Sequence, residues 1–138
     1  MHRREKDILV HELGEVARAS GAGLTRLMAK AMRTNVHEVA IVLPLAADEA
    51  HRHVAAILHD EGRVLDGAPE HAPPGSTVLR AVVDAGKGGL NSAVVTIALT
   101  PGGDTETHTL VRAAALEGLI KQRAGEHTAT RLATALAP

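Results

Sequence analysis

No phenylalanine, tyrosine, tryptophan or cysteine occurs anywhere in the 138-residue chain. The missing cysteine excludes disulfides, thiolate nucleophiles and cysteine-ligated zinc. The missing aromatics remove the stacking surfaces on which single-stranded RNA recognition leans. They also remove the large rigid pieces that normally help to fill a core, so Val, Leu, Ile and many Ala must do that instead. Small side chains fill an interior only where elements approach closely; otherwise they leave space.

A dominant charge is missing as well. The net charge is −1 and the isoelectric point about 6.8, so nothing draws the whole molecule to nucleic acid or to an anionic membrane. No apolar run approaches the ~18 residues of a membrane span. The start, MHRREKDILVHEL, lacks the ~7–15 uninterrupted apolar residues of a signal peptide. The expectation is a cytoplasmic protein with no nucleic-acid partner. Its length suits one domain with a core of its own.

What is present is organised by period. Residues 4–33 read as two helices. Ile8, Leu9, Leu13, Val16 and Ala17 form one apolar stripe, and SGAG at 20–23 interrupts it. Leu24, Leu27, Met28 and Ala31 then share one face, opposite Arg26, Lys30 and Arg33. That basic face is short and has no aromatic anchor for a membrane surface. Its apolar side is expected to pack on the domain or on a second copy.

VHEVAIVLPL at 36–45 is rich in β-branched residues and predicts a strand ending near a proline. Ala50, Val54, Ile57 and Leu58 predict a helix stopped by Gly62. RVLDGAPEHAPPGS at 63–76 is a possible short strand followed by a loop rich in Pro and Gly. Three strands follow near 77–85, 92–100 and 105–115, joined by GKGGLN and PGGD. In the middle strand Ala93, Val95, Ile97 and Leu99 point one way, and Val94, Thr96, Ala98 and Thr100 the other. A final helix over 116–136 carries Leu116, Ile120, Ala124, Thr128, Leu132 and Leu136 along one stripe. The fold class expected is α+β: an antiparallel sheet with a long C-terminal helix packed across it.

Two segments carry a family resemblance, LPLAADEAHRHVAAIL (43–58) and AALEGLIKQRAGEHTATRLATAL (114–136). With the element order they make residues 36–138 resemble the START/Bet v 1-like helix-grip superfamily of polyketide cyclase/dehydrase and lipid-transport proteins. The chain has room for four or five strands, so a smaller β-α-β4-α form fits the count equally well. Residues 1–35 are then an N-terminal helical extension outside that pattern. The resemblance implies an apolar ligand held between helix and sheet.

The polar residues offer no strong chemical motif. Nine histidines invite a metal site, but His51 and His53 are two apart and diverge on a helix, while His51 and His59 sit about 12 Å apart along it. No H-E-x-x-H occurs, and no metal or cofactor is expected. Asp84, His108 and Arg112 are the titratable strand residues that could serve as acid or base on a buried face; the expectation is that His108 and Arg112 are simply solvated. GKGGLNS (86–92) joins two strands and is a hairpin turn rather than a phosphate loop.

These readings converge on a small non-enzymatic domain that binds an apolar small molecule or lipid. Ala93, Val95, Ile97, Leu99, Leu116, Ile120 and Leu132 are the expected lining. The first alternative is a protein–protein interaction module or homodimer using helices at 4–33. The second is a cyclase-like enzyme of the same superfamily, which requires a buried polar group.

Overall fold

The computed structural model describes residues 5–9, 33–65, 74–85, 91–117 and 124–137. The elements, in order, are β1 (Arg33–Leu43), α1 (Ala47–Glu61), β2 (Gly62–Leu65), β3 (Thr77–Ala85), β4 (Asn91–Pro101), β5 (Thr107–Glu117) and α2 (Ala124–Leu136). Residues 5–9 are also helical. The five strands form one sheet in the order β1-β5-β4-β3-β2, and every neighbouring pair is antiparallel. This is the expected α+β class, with the element order β-α-β4-α and the C-terminal helix packed across the antiparallel sheet.

Strand alternation divides the sheet into two faces. On the inner face the register sets Leu79, Ile97, Val111 and Val39 in one row across β3, β4, β5 and β1. The adjacent row is Ala81, Val95, Ala113 and His37. Both helices cover this face. α2 lies chiefly on β1 and β5, and α1 on β2, β3 and β4, with the two helices touching each other. The C-terminal helix is therefore half of the cover and α1 is the other half.

α1 buries Ala50, Val54 and Leu58, spaced at i, i+4 and i+8. Asp48 and Glu49 stand in its first turn, where the helix dipole favours negative charge. The N–H of Gly62 donates to the carbonyl of Leu58 and closes the last turn. Gly62 is also where β2 meets β3: a Cβ there would lie 2.1 Å from the Val82 carbonyl oxygen. Only glycine permits that approach.

α2 is seated through a second close approach. A Cβ on Gly125 would lie 2.4 Å from the Asn35 carbonyl oxygen and 3.0 Å from that of Ala113. The Asn35 side chain accepts a hydrogen bond from the N–H of Glu126 at 3.2 Å, so a strand residue satisfies one of the orphan donors at the helix start. At the other end His53 of α1 meets the Leu136 carbonyl through Nε2 at 2.8 Å, with the nitrogen donating. Glu61 and Arg131 pair across the helix interface.

The outer face is also buried in its middle. Ile8 and Leu9 pack against Val82, Val94 and Ala114, with Leu65 beside them. Val94 of β4 is consequently as inaccessible as the inner residues, and Thr96 and Ala98 are also buried. The sequence reading placed only one apolar face on the sheet.

Three boundaries differ from expectation. β1 begins at Arg33 rather than near 36 and ends at Leu43, before Pro44. Arg33 is thus a strand residue paired with Glu117, not part of a basic helical face. β5 continues to Glu117, so Leu116 is a strand residue opposite Thr34 rather than the first turn of the helix. The reason is mutual: Arg33, Thr34 and Asn35 extend β1 alongside β5, and ladder pairing overrides the helical preference of Leu116 and Glu117. The described part of the last helix starts at Ala124. The expected helices over 10–32 and the GKGG turn lie outside the described residues, as does Ile120.

Candidate functional site

The inner face is an apolar wall packed under the two helices. Ala93, Val95, Ile97 and Leu99 all point into it with exposures of 0–3%, and Leu132 of α2 meets them at 0%. Four of the seven sequence-predicted lining residues thus come from one strand and a fifth from the helix facing it. Leu116 is displaced to β5, and Ile120 lies outside the described residues. Sequence reasoning omitted Ala50, Val54 and Leu58 of α1, which belong to the same cluster. Their stripe was legible, but nothing local said that α1 covers the same face as α2.

Alanine dominates where elements converge. Ala81, Ala93, Ala113 and Ala115 on the strands meet Ala50, Ala129 and Ala133 on the helices. Beneath Gly125 the helix sits directly on the β1–β5 backbone, so small residues there serve close packing. Toward β3 and α1 the lining side chains are larger, and Leu79 and Ile57 are only partly buried against the cluster. The rim on that side is apolar and reaches solvent.

The polar groups of the inner face are few. Thr107 and Thr109 are 0% and 2% exposed. The Thr107 hydroxyl donates to the Leu45 carbonyl at 2.9 Å, and that of Thr109 to the Thr107 carbonyl at 3.3 Å. Among the described residues no charged side chain is buried on this face. His37, half-buried, occupies the β1 position opposite Ala113.

His108 and Arg112 both lie on the outer face. The His108 side chain is 58% exposed, with Glu106 at 3.9 Å, so its expected solvation agrees with its position. Arg112 departs from expectation. Its Nε reaches both Glu5 carboxylate oxygens at 3.1 and 3.2 Å, and Nη2 reaches Oε1 at 3.0 Å. Glu38 stands 3.8 Å away on β1. The hydrogen bond that Arg112 donates to Glu5 is the main cause that raises the Arg112 pKa, opposed by burial and reinforced by the charges of Glu5 and Glu38. Arg112 is therefore a clamp for the N-terminal segment. Sequence could not reveal this, because Glu5 lies more than a hundred positions away. Asp84 enters the ladder opposite Ser92.

Among the described residues no group of three or more His, Asp or Glu could hold a metal ion. No described helix is long and apolar enough to cross a membrane.

No family model and no curated protein sequence matches the chain. Among solved structures it is similar to the Zhui aromatase/cyclase from Streptomyces sp. R1128, with a TM-score of 0.39 and 12% identity, covering 75% of this chain and 88% of the other. Similarity at that level leaves the activity of this chain to be argued from its own residues.

Proposed function

We propose that the chain is a small non-enzymatic domain that binds an apolar molecule between the two helices and the inner face of the sheet. The observation that carries this reading is the apolar inner surface itself, in which Ala93, Val95, Ile97 and Leu99 of β4 lie under Leu132 of α2 with no buried charge among the described residues there. Affinity would come from burial, ~25 cal/mol for each Å² of apolar surface covered. The partly buried Leu79 and Ile57 are the side of entry. Binding rather than catalysis is favoured by the hydroxyls on the inner face of the sheet, since Thr107 and Thr109 both donate to backbone carbonyls.

The absence of aromatics makes the test direct. Near-ultraviolet absorbance of the purified chain belongs to a co-purified aromatic ligand, and native mass spectrometry detects an aliphatic one. The expected result is a mass above 14.4 kDa that falls on extraction with organic solvent, together with uptake of an apolar dye by the extracted protein. A bare mass from the outset, with no dye uptake, would sink the proposal.

The cyclase-like reading needs a titratable group facing the same space, and His37 on β1 is placed for it. Turnover of a polyketide-like substrate, lost in His37→Ala with the fold intact, would replace the binder reading. An interaction module using residues 4–33 must reckon with Ile8 and Leu9, which are already buried against the chain's own sheet.

A further inference from the structure

We propose that β1 is a self-complementary edge through which two copies of the chain pair antiparallel, extending the sheet across a two-fold axis at Val39. The two edges of the sheet are unlike. β2 has four residues, whereas β1 has eleven. Short edge strands resist pairing, and long ones without proline or bulge invite it. No described strand covers the outer side of β1. Its outward-facing side chains include Val36 and Val42, at 38% and 51% exposure, with Ala40 exposed between them and Glu38 held near Arg112.

Register selects the partner. In an antiparallel pair across a two-fold axis, residues on the same face oppose each other, so only registers of even sum are possible. Centring the axis on Glu38 would place two carboxylates directly opposite, which is destabilising. Centring it on Val39 sets Val36 against the Val42 of the other copy, and Glu38 against Ala40. On the inner face it sets His37 against Ile41 and Val39 against itself. The two exposed valines then cover each other, and Val39 and Ile41, only partly buried in one chain, join a core that runs across the boundary. Main-chain hydrogen bonds along Asn35–Leu43 supply the remaining attraction. A shift to Ala40 would instead place Val36 against Pro44, which has no N–H to donate. The occupant that fits this edge is therefore a second copy of the chain.

Light scattering on the full chain through a dilution series tests this. The expected species at high concentration has twice the 14.4 kDa chain mass. Val36→Lys, at an exposed site where the fold is spared, returns it to the single-chain mass, and Val36→Lys combined with Val42→Glu restores the doubled mass because the new charges face each other. The chain has no cysteine of its own, so oxidation of Val39→Cys yields a cross-linked pair while Glu38→Cys does not. A single-chain mass at every concentration overturns the proposal. So does a doubled mass that Val36→Lys leaves untouched, or cross-linking by Glu38→Cys in preference to Val39→Cys.

Discussion

Glu5 and Arg112 form a two-pronged ion pair, with Nη2 to Oε1 at 3.0 Å and Nε shared between both carboxylate oxygens, tying the N-terminal helical segment to the outer face of β5. It holds Ile8 and Leu9 over Val82, Val94 and Ala114, and so keeps the middle of the second face of the sheet covered. Glu5→Gln is expected to cost about 1 kcal/mol, less than the ~1.5–3 kcal/mol of charge-assisted bonds, because the Arg112 side chain is 35% exposed and water screens the pair. Thermal melts in low and high salt check this: the difference between Glu5→Gln and the parent should narrow as salt rises.

The pH dependence of Arg112 has a definite sign. Its folded-state pKa is raised above the ordinary guanidinium value, chiefly by the hydrogen bond to Glu5. A raised cation pKa contributes stability that is fully present below the unfolded value and lost only as pH rises through the folded one. That window lies in strong alkali. The destabilisation caused by Arg112→Met should therefore stay constant from neutral to moderately alkaline pH, and a decline over that range in denaturant titrations would contradict the assignment.

Two glycines are held by space rather than by backbone angle. Gly62→Ala and Gly125→Ala each drive a Cβ into a carbonyl oxygen, at 2.1 and 2.4 Å, and are expected to cost ~1–3 kcal/mol or more by overpacking. Gly103, in the β4–β5 turn, meets nothing within 4 Å but has φ +123°. Gly103→Ala is expected to cost ~1–2 kcal/mol through its backbone conformation, without altering amide exchange protection in α2. Loss of that protection in Gly125→Ala would separate the two effects.

The proposed chamber predicts an asymmetry between two alanines of one cross-strand row. Ala113 lies under the close approach of Gly125, so Ala113→Leu should overpack and lose ~1–3 kcal/mol. Ala81 lies on β3, on the side that α1 covers. Ala81→Leu should melt near the parent and abolish dye uptake. Equal destabilisation of both would mean that the interior is close-packed throughout.

His53 and His108 make a contrasting pair. His53→Ala removes the bond to the Leu136 carbonyl and is expected to cost ~1 kcal/mol, with faster amide exchange in the last turn of α2. His108→Ala removes an exposed side chain on the outer face. It should leave stability within ~0.5 kcal/mol and ligand uptake unchanged.

Much of the scaffold was legible because its signals are local. The alternation of Ala93 to Leu99 marks β4, the spacing of Ala50, Val54 and Leu58 marks α1, and Gly102–Gly103 marks the hairpin. Leu116 was misread because its own neighbourhood is helical in composition, while its partner Thr34 lies far away in the chain. The buried face of β4 was readable from period alone, but the contribution of α1 to the same core was not, since a stripe says that a helix buries one side and not what it buries it against.

The amino-acid sequence by itself determined the α+β class, the element order, the apolar character of the inner strand face and the absence of cysteine or aromatic chemistry, because composition and periodicity act between residues a few positions apart. Only the tertiary structure decided that two helices share the cover, that the N-terminal segment is clamped to the opposite face by Glu5 and Arg112, and that β1 is the long edge strand among the described residues. Those features depend on strand order and on pairs far apart along the chain, which chain folding alone brings together.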